Sequence, residues 1–208
     1  MFTTVQKYIL TSSGIRILLW ISVNLRLFVL YPLTGSRFLP GGIADFYLTV
    51  NLLTSALNFI DYLYVFRKYR TKPSLINSIV QFSERLLVSY VLFENPKIAK
   101  HDCFGLMILS ESVLESVKFI YYFMKVSTFN RVSKFLQISK LVTVCSMAPI
   151  QVFCEMFLIG LSLTLTDSIF VKGCLVVYLP IFYSLYKQQL GKLFRLIWSG
   201  HSSKEKTN

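Results

Sequence analysis

The sequence predicts an all-α protein, an integral membrane bundle of six helices with both termini in the cytosol. Three observations predict it. Apolar stretches of about 20 residues recur along the whole 208-residue chain, the length a helix needs to cross a bilayer. Only 15% of the residues are charged and 54% are hydrophobic, with a mean hydropathy of +0.56; soluble domains carry about 25% charged residues. The basic residues gather in short connections between the apolar runs, mostly on alternate sides, as orientation-setting loops do.

The first segment, residues 15–33, carries Arg16, Asn24 and Arg26. With those interruptions and no small-residue cleavage site it reads as a helix and not as a cleaved signal. A turn at Pro40-Gly41-Gly42 precedes the second segment, 46–66, which runs into the basic patch Arg67 to Lys72. Pro73 opens the third, 73–93, at a position helices tolerate. The fourth spans 103–124, the fifth 141–165 and the sixth 168–190, and residues 196–208 read as a cytosolic tail. The whole chain is one membrane domain.

With the N-terminus in the cytosol, that side receives Lys7, the 67–72 patch, Lys125, Arg131, Lys134, Lys140 and every basic residue from Lys187 onward. The opposite side receives only Arg37, Lys97, Lys100 and Lys172. The net charge of +12 therefore reads as topology, and no nucleic-acid partner is expected. Lys204 and Lys206 stand at the spacing of the KxKxx retrieval signal of endoplasmic-reticulum membrane proteins, an address read from the cytosol. Cys103, Cys145, Cys154 and Cys174 lack metal-ligand spacing and read as free thiols. Neither a metal nor another cofactor is expected.

The chemistry sits in polar residues placed where apolar ones would cost less. Glu155 lies deep in the fifth apolar run, where a charged residue costs about 2.5–3.5 kcal/mol on insertion scales. It must pair, hold a proton or line a wet cavity. Seven residues earlier, and so only about 20° away around a helix, stands Ala148. Gln81, Glu84 and Arg85 fall together in the third segment; Glu111, Glu115 and Lys118 share a face of the fourth. Ion pairs that hold helices in register, Glu115 with Lys118 and Glu155 with Arg85, are the structural alternative to a functional site. The tyrosines, Tyr121, Tyr122, Tyr183 and Tyr186 among them, read as interface belt or packing.

In order and spacing these residues resemble a family. Val80-Gln81-Phe82-Ser83-Glu84-Arg85 is similar to the QVxSR element of the membrane-bound 3-hydroxyacyl-CoA dehydratases, also called protein-tyrosine-phosphatase-like proteins. Ser112 to Tyr122 resembles their SxTExxRYxFY helix, Met147 to Glu155 their LYPxGVxGE segment, and Val177-Tyr178-Leu179-Pro180 with Tyr183 to Lys187 their closing YVPGFPxxYxxM segment. The resemblance covers roughly residues 46–195. It implies a six-helix bundle in the endoplasmic-reticulum membrane that removes water from (3R)-3-hydroxyacyl-CoA to give trans-2-enoyl-CoA, the third step of very-long-chain fatty-acid elongation. It implies a long-chain 3-hydroxyacyl-CoA as ligand, membrane lipid around the bundle and other elongation enzymes as partners.

By the same resemblance Glu155 is the carboxylate of a tyrosine–glutamate dyad, while Gln81, Arg85, Glu115, Lys118 and Lys140 match substrate-pocket positions that meet the CoA phosphates or orient the dyad. The chain departs from the pattern at six positions. Ala148 stands at the tyrosine position, Gln151 and Cys154 stand where the family has glycines, and Lys118 and Lys140 replace arginines, which keeps charge but not fork geometry. Asp61 matches the acid ending the second segment only approximately. Two readings follow: a dehydratase in which Glu155 works with water or with a relocated tyrosine such as Tyr90, Tyr121 or Tyr122, and an inactive relative that binds acyl-CoA or serves as a scaffold in the elongation complex. A small transporter using the buried charges is a third, but the two halves show no paired repeat.

Overall fold

The structure, a computed structural model, describes residues 4–35, 42–69, 75–129, 131–166 and 168–204, with the side chains of 34, 62–69, 75–78, 81, 170 and 196–204 left out of the description. The described residues form six α-helices, and the fold is all-α as expected. They are α1 (Thr4–Thr34), α2 (Ala44–Tyr69), α3 (Leu75–Glu94), α4 (Asp102–Ser127), α5 (Lys134–Leu165) and α6 (Ile169–Lys204), with a short 3-10 turn at Pro96–Lys100. The expected segments all fall within these helices apart from a residue or two at their ends, and three helices run well beyond them. Helix α1 begins eleven residues earlier, α5 begins at Lys134, and α6 continues to Lys204 through what reads in sequence as the start of a tail. The turn at Pro40-Gly41 and the helix-opening Pro73 lie outside the described residues.

Local chemistry sets several of the ends. Gly35 closes α1 at φ +66°, the left-handed conformation glycine adopts without steric cost, and its N–H bonds the Tyr31 carbonyl at 2.9 Å. The His101 side chain caps α4 by accepting from the Cys103 N–H at 3.3 Å, and Ser133 Oγ caps α5 by accepting from the Leu136 N–H at 3.3 Å. Helix α5 carries Pro149 in its interior. Proline has no N–H to give the carbonyl four residues back, which is that of Cys145. The Tyr186 hydroxyl on α6 donates to this carbonyl at 3.2 Å. Tyr186, read from sequence as packing, therefore satisfies the backbone group that Pro149 leaves over.

Helix α4 is central, packed most extensively against α5 on one side and α1 on the other; α6 packs on α5, and α2 lies against α3 and α1. Successive helices are antiparallel, so residues equally far from a connection meet. Arg16 pairs with Asp61 across α1 and α2. The Arg85 guanidinium approaches the Thr54 hydroxyl at 3.3 Å and the Ser55 hydroxyl at 3.4 Å across α2 and α3. Asn95 Nδ2 donates to Thr166 Oγ1 at 3.2 Å, placing the α3–α4 and α5–α6 connections at one end of the bundle.

An apolar core centred on Trp20, Tyr47, Phe104 and Met107 is accompanied by buried charge, and large apolar side chains also lie on the outside. Arg16, Asn51, Arg85, Glu111, Glu115 and Glu155 are all buried, while Leu18 is 70% exposed, Phe93 85% and Phe153 69%. Among the described residues two helices are long and apolar enough to cross a membrane, over Thr4–Leu33 and Lys134–Leu165. At 1.5 Å per residue the 32 residues of α5 extend about 48 Å, more than a bilayer's hydrocarbon core of about 30 Å. All four cysteines are free thiols, Cys154 buried and the others half-buried.

Candidate functional site

Glu155 points inward. It is 2% exposed, about 15 Å along α5 from the end of the helix at Leu165. Two side chains hold its carboxylate. Gln151, one turn earlier on the same face, donates from Nε2 to Oε1 at 2.7 Å. The Tyr178 hydroxyl, from α6, donates to Oε2. The phenol oxygen also lies 3.1 Å from Oε1 of Glu84 on α3. Three helices thus meet at one phenol flanked by two carboxyl groups.

The site's register follows from the α5–α6 hairpin. Glu155 and Tyr178 lie almost equally far in sequence from the ends of their helices at Leu165 and Ile169, so antiparallel packing sets them at one level. The tyrosine beside Glu155 is therefore Tyr178, and the three expected from sequence are elsewhere. Tyr121 and Tyr122 face Lys140, whose Nζ lies 4.2 Å and 4.8 Å from their ring centroids. Tyr90 is 47% exposed near the end of α3. Ala148 is half-buried and contributes no polar group. Gln151, bulk at a family glycine position by sequence, supplies a hydrogen-bond donor instead.

Beside this triad lies a second cluster centred on Arg85. Its Nη2 reaches Glu115 Oε1 at 2.9 Å and its Nε reaches Glu111 Oε1 at 3.5 Å. Lys118 Nζ meets the same Glu115 oxygen at 3.0 Å. The Tyr47 hydroxyl on α2 donates to Glu111 Oε2. The expected Glu115–Lys118 pair is present, but the expected Glu155–Arg85 pair is not: Arg85 is engaged by the two glutamates of α4. Arg85 and Glu111 lie equally far from Ile98, and the α3–α4 hairpin brings them together first. The side chain of Gln81 lies outside the described residues, as do Lys206 and the side chain of Lys204. Arg16 and Asp61 form a separate ion pair that also receives the Ser12 hydroxyl, at 3.5 Å.

Charge is unequally shared between the clusters. Arg85 and Lys118 both serve α4's carboxylates, whereas Glu84 and Glu155 form no ion pair among the described residues. Two carboxylates near one another away from water resist joint ionisation. The phenol has one proton and can donate it to one carboxylate only. Its other close contact is favourable when the second carboxyl carries a proton and donates back to the phenol oxygen. The triad is thus an acid and a base joined by an amphoteric hydroxyl, the equipment of proton transfer.

Asn51 on α2, between Tyr47 and Thr54, is fully buried, and neither its amide nitrogen nor its amide oxygen meets a partner among the described residues. Buried polar groups are almost always hydrogen-bonded to protein, water or ligand. The interior therefore has spare donor and acceptor capacity on the helix that also carries the partners of Glu111 and Arg85. Sequence reading misses the roles of Tyr178, Glu84 and Tyr47. Counting outward from each connection is the signal that finds the first.

Fold and site together define a helical protein with an apolar exterior and an acid–base cluster in its interior. Compared with family models, curated proteins and solved structures, the chain matches none.

Proposed function

We propose that the chain is a multi-pass membrane enzyme that dehydrates (3R)-3-hydroxyacyl-CoA to trans-2-enoyl-CoA. It acts in the endoplasmic-reticulum membrane as the third step of very-long-chain fatty-acid elongation, with six crossings and both termini cytosolic. The observation that carries this reading is the hydrogen bond from Tyr178 to buried Glu155. It supplies a phenol from α6 to a carboxylate whose own helix offers only Ala148.

Dehydration needs a base for the proton on C2 and an acid for the hydroxyl leaving C3. Glu155, oriented by Gln151, takes the C2 proton as its carboxylate. Tyr178 gives its proton to the departing hydroxyl, and water leaves as the C2–C3 double bond forms. The amide of Asn51, unpartnered among the described residues, would offer a donor to a substrate oxygen. Lys140 lies about 22 Å along α5 from Glu155, with Lys118 on the adjoining helix. That spacing suits a thioester in the bundle with the CoA phosphates toward the cytosol.

Purified protein given 3-hydroxypalmitoyl-CoA should form the enoyl-CoA, followed by its ultraviolet absorbance, and Glu155→Ala should abolish the reaction. Absence of turnover from the unmodified protein ends the proposal. Ala148 favours a second reading, an inactive relative that binds acyl-CoA as a subunit of the elongation complex. That reading predicts saturable acyl-CoA binding without product and a cellular role that survives Glu155→Ala.

A further inference from the structure

We propose that Glu84 is the second proton-carrying group of the Glu155 site, sharing one proton with Glu155 through the Tyr178 hydroxyl and resetting the site after each turnover. The inference rests on the dehydratase reading for its purpose, but on the Glu84–Tyr178–Glu155 geometry for its substance.

A glutamate at position 84 has no evident structural task. Its neighbour Arg85 is committed to Glu111 and Glu115, and Glu84 forms no ion pair among the described residues. What it does touch is the phenol that serves Glu155. The charged and titratable groups facing the triad are Arg85 on its own helix and Glu111 and Glu115 on α4, with Tyr47 on α2 committed to Glu111. Those cations and anions are largely satisfied among themselves, which leaves Glu84 and Glu155 to hold a proton between them.

The reaction creates a need for such a group. As the C3–O bond breaks, the phenol proton leaves with the hydroxyl as water, and a protonated Glu84 replaces it on the phenol oxygen. Glu155 meanwhile has taken the C2 proton. The site now holds a protonated Glu155 and an ionised Glu84, the reverse of its starting state. One concerted shift restores it: Glu155 gives its proton to the phenol oxygen while the phenol proton passes to Glu84. The substrate has lost one hydrogen and one hydroxyl as water, and the protein has neither gained nor lost a proton. No exchange with bulk solvent is needed, which suits a group buried among apolar helices. Glu84 acts through Tyr178 and does not itself meet substrate; it is a positioning and proton-storing residue.

The test needs no substrate. Infrared difference spectra of the full-length protein in detergent, recorded in light and heavy water, report the carbonyl stretch of a protonated buried carboxyl. The unmodified protein should show such a band, and Tyr178→Phe should shift it. Glu84→Gln should remove the band that Tyr178→Phe shifts, Glu155→Gln should shift it, and Glu84→Asp should retain it. A band that survives Glu84→Gln, or that Glu155→Gln leaves unmoved, overturns the sharing; so does the absence of any band sensitive to Tyr178. Turnover supplies the second readout. Glu84→Gln should lower kcat by about 10²-fold or more, the scale of losing a proton-transfer group, with KM little changed, while Glu84→Asp recovers most of the rate. The two claims fail separately: the band without turnover sinks the dehydratase reading alone, and turnover indifferent to Glu84→Gln sinks this inference alone.

Discussion

Replacing Tyr178 by phenylalanine removes one oxygen and leaves the ring. That oxygen bonds Glu155 and lies 3.1 Å from Glu84. A hydrogen bond to a charged group contributes about 1.5–3 kcal/mol, so the variant should lose stability on that scale and still fold. Its rate should fall much further. Loss of one member of an acid–base pair costs about 10²–10⁴-fold, equivalent to about 2.7–5.4 kcal/mol of barrier at 1.36 kcal/mol per decade. The structure also says how to restore it. Ala148 lies on nearly the same face of α5 as Glu155 and is half-buried, so Ala148→Tyr returns a phenol from the carboxylate's own helix. The larger side chain costs about 1–3 kcal/mol if the space resists it. We expect Tyr178→Phe with Ala148→Tyr to recover about tenfold or more of the lost rate, and Ala148→Tyr alone to change little. Initial rates with a long-chain 3-hydroxyacyl-CoA in micelles measure this, with thermal melting to check each fold. An undiminished rate in Tyr178→Phe would refute the reasoning, as would failed rescue in a double variant that melts like its parent.

Two further outcomes follow from the buried network. Arg85→Met leaves Glu111 without a cation and Glu115 with Lys118 alone, and breaking a buried pair costs about 3–5 kcal/mol; adding Glu111→Gln should recover most of that in mixed-micelle unfolding, whereas equal destabilisation with and without it contradicts the pairing. Tyr186→Phe leaves the Cys145 carbonyl without its donor and should cost about 1–3 kcal/mol with turnover unchanged, which unfolding and initial-rate measurements on one preparation decide.

The helices were legible from apolar run length, because burying or lipid-facing backbone demands internal hydrogen bonds over the whole run. Their ends were less so. Helix α1 extends back to Thr4, and Ser12 within that extension finds Asp61, a contact across helices that no local window contains. Glu155 declared itself by the cost of its position, and Arg85, Glu115 and Lys118 by theirs. Their partners did not follow from proximity in sequence or from motif position. Arg85 meets the glutamates that antiparallel register sets beside it, and Glu155 meets Tyr178 for the same reason. Tyrosine is at home in a membrane helix whether or not it acts, so Tyr178 carried no cost to betray it. Gln151 reads as a defect against a glycine pattern; only its 2.7 Å contact with Glu155 makes it an orienting group.

The most direct test runs the reaction backwards. Purified protein is incubated with trans-2-hexadecenoyl-CoA in water enriched in the heavy oxygen isotope, and the product is weighed by mass spectrometry. The account predicts heavy oxygen in a 3-hydroxyacyl-CoA from the unmodified protein, little from Tyr178→Phe and none from Glu155→Gln. Label appearing equally in all three, or in none, would contradict it.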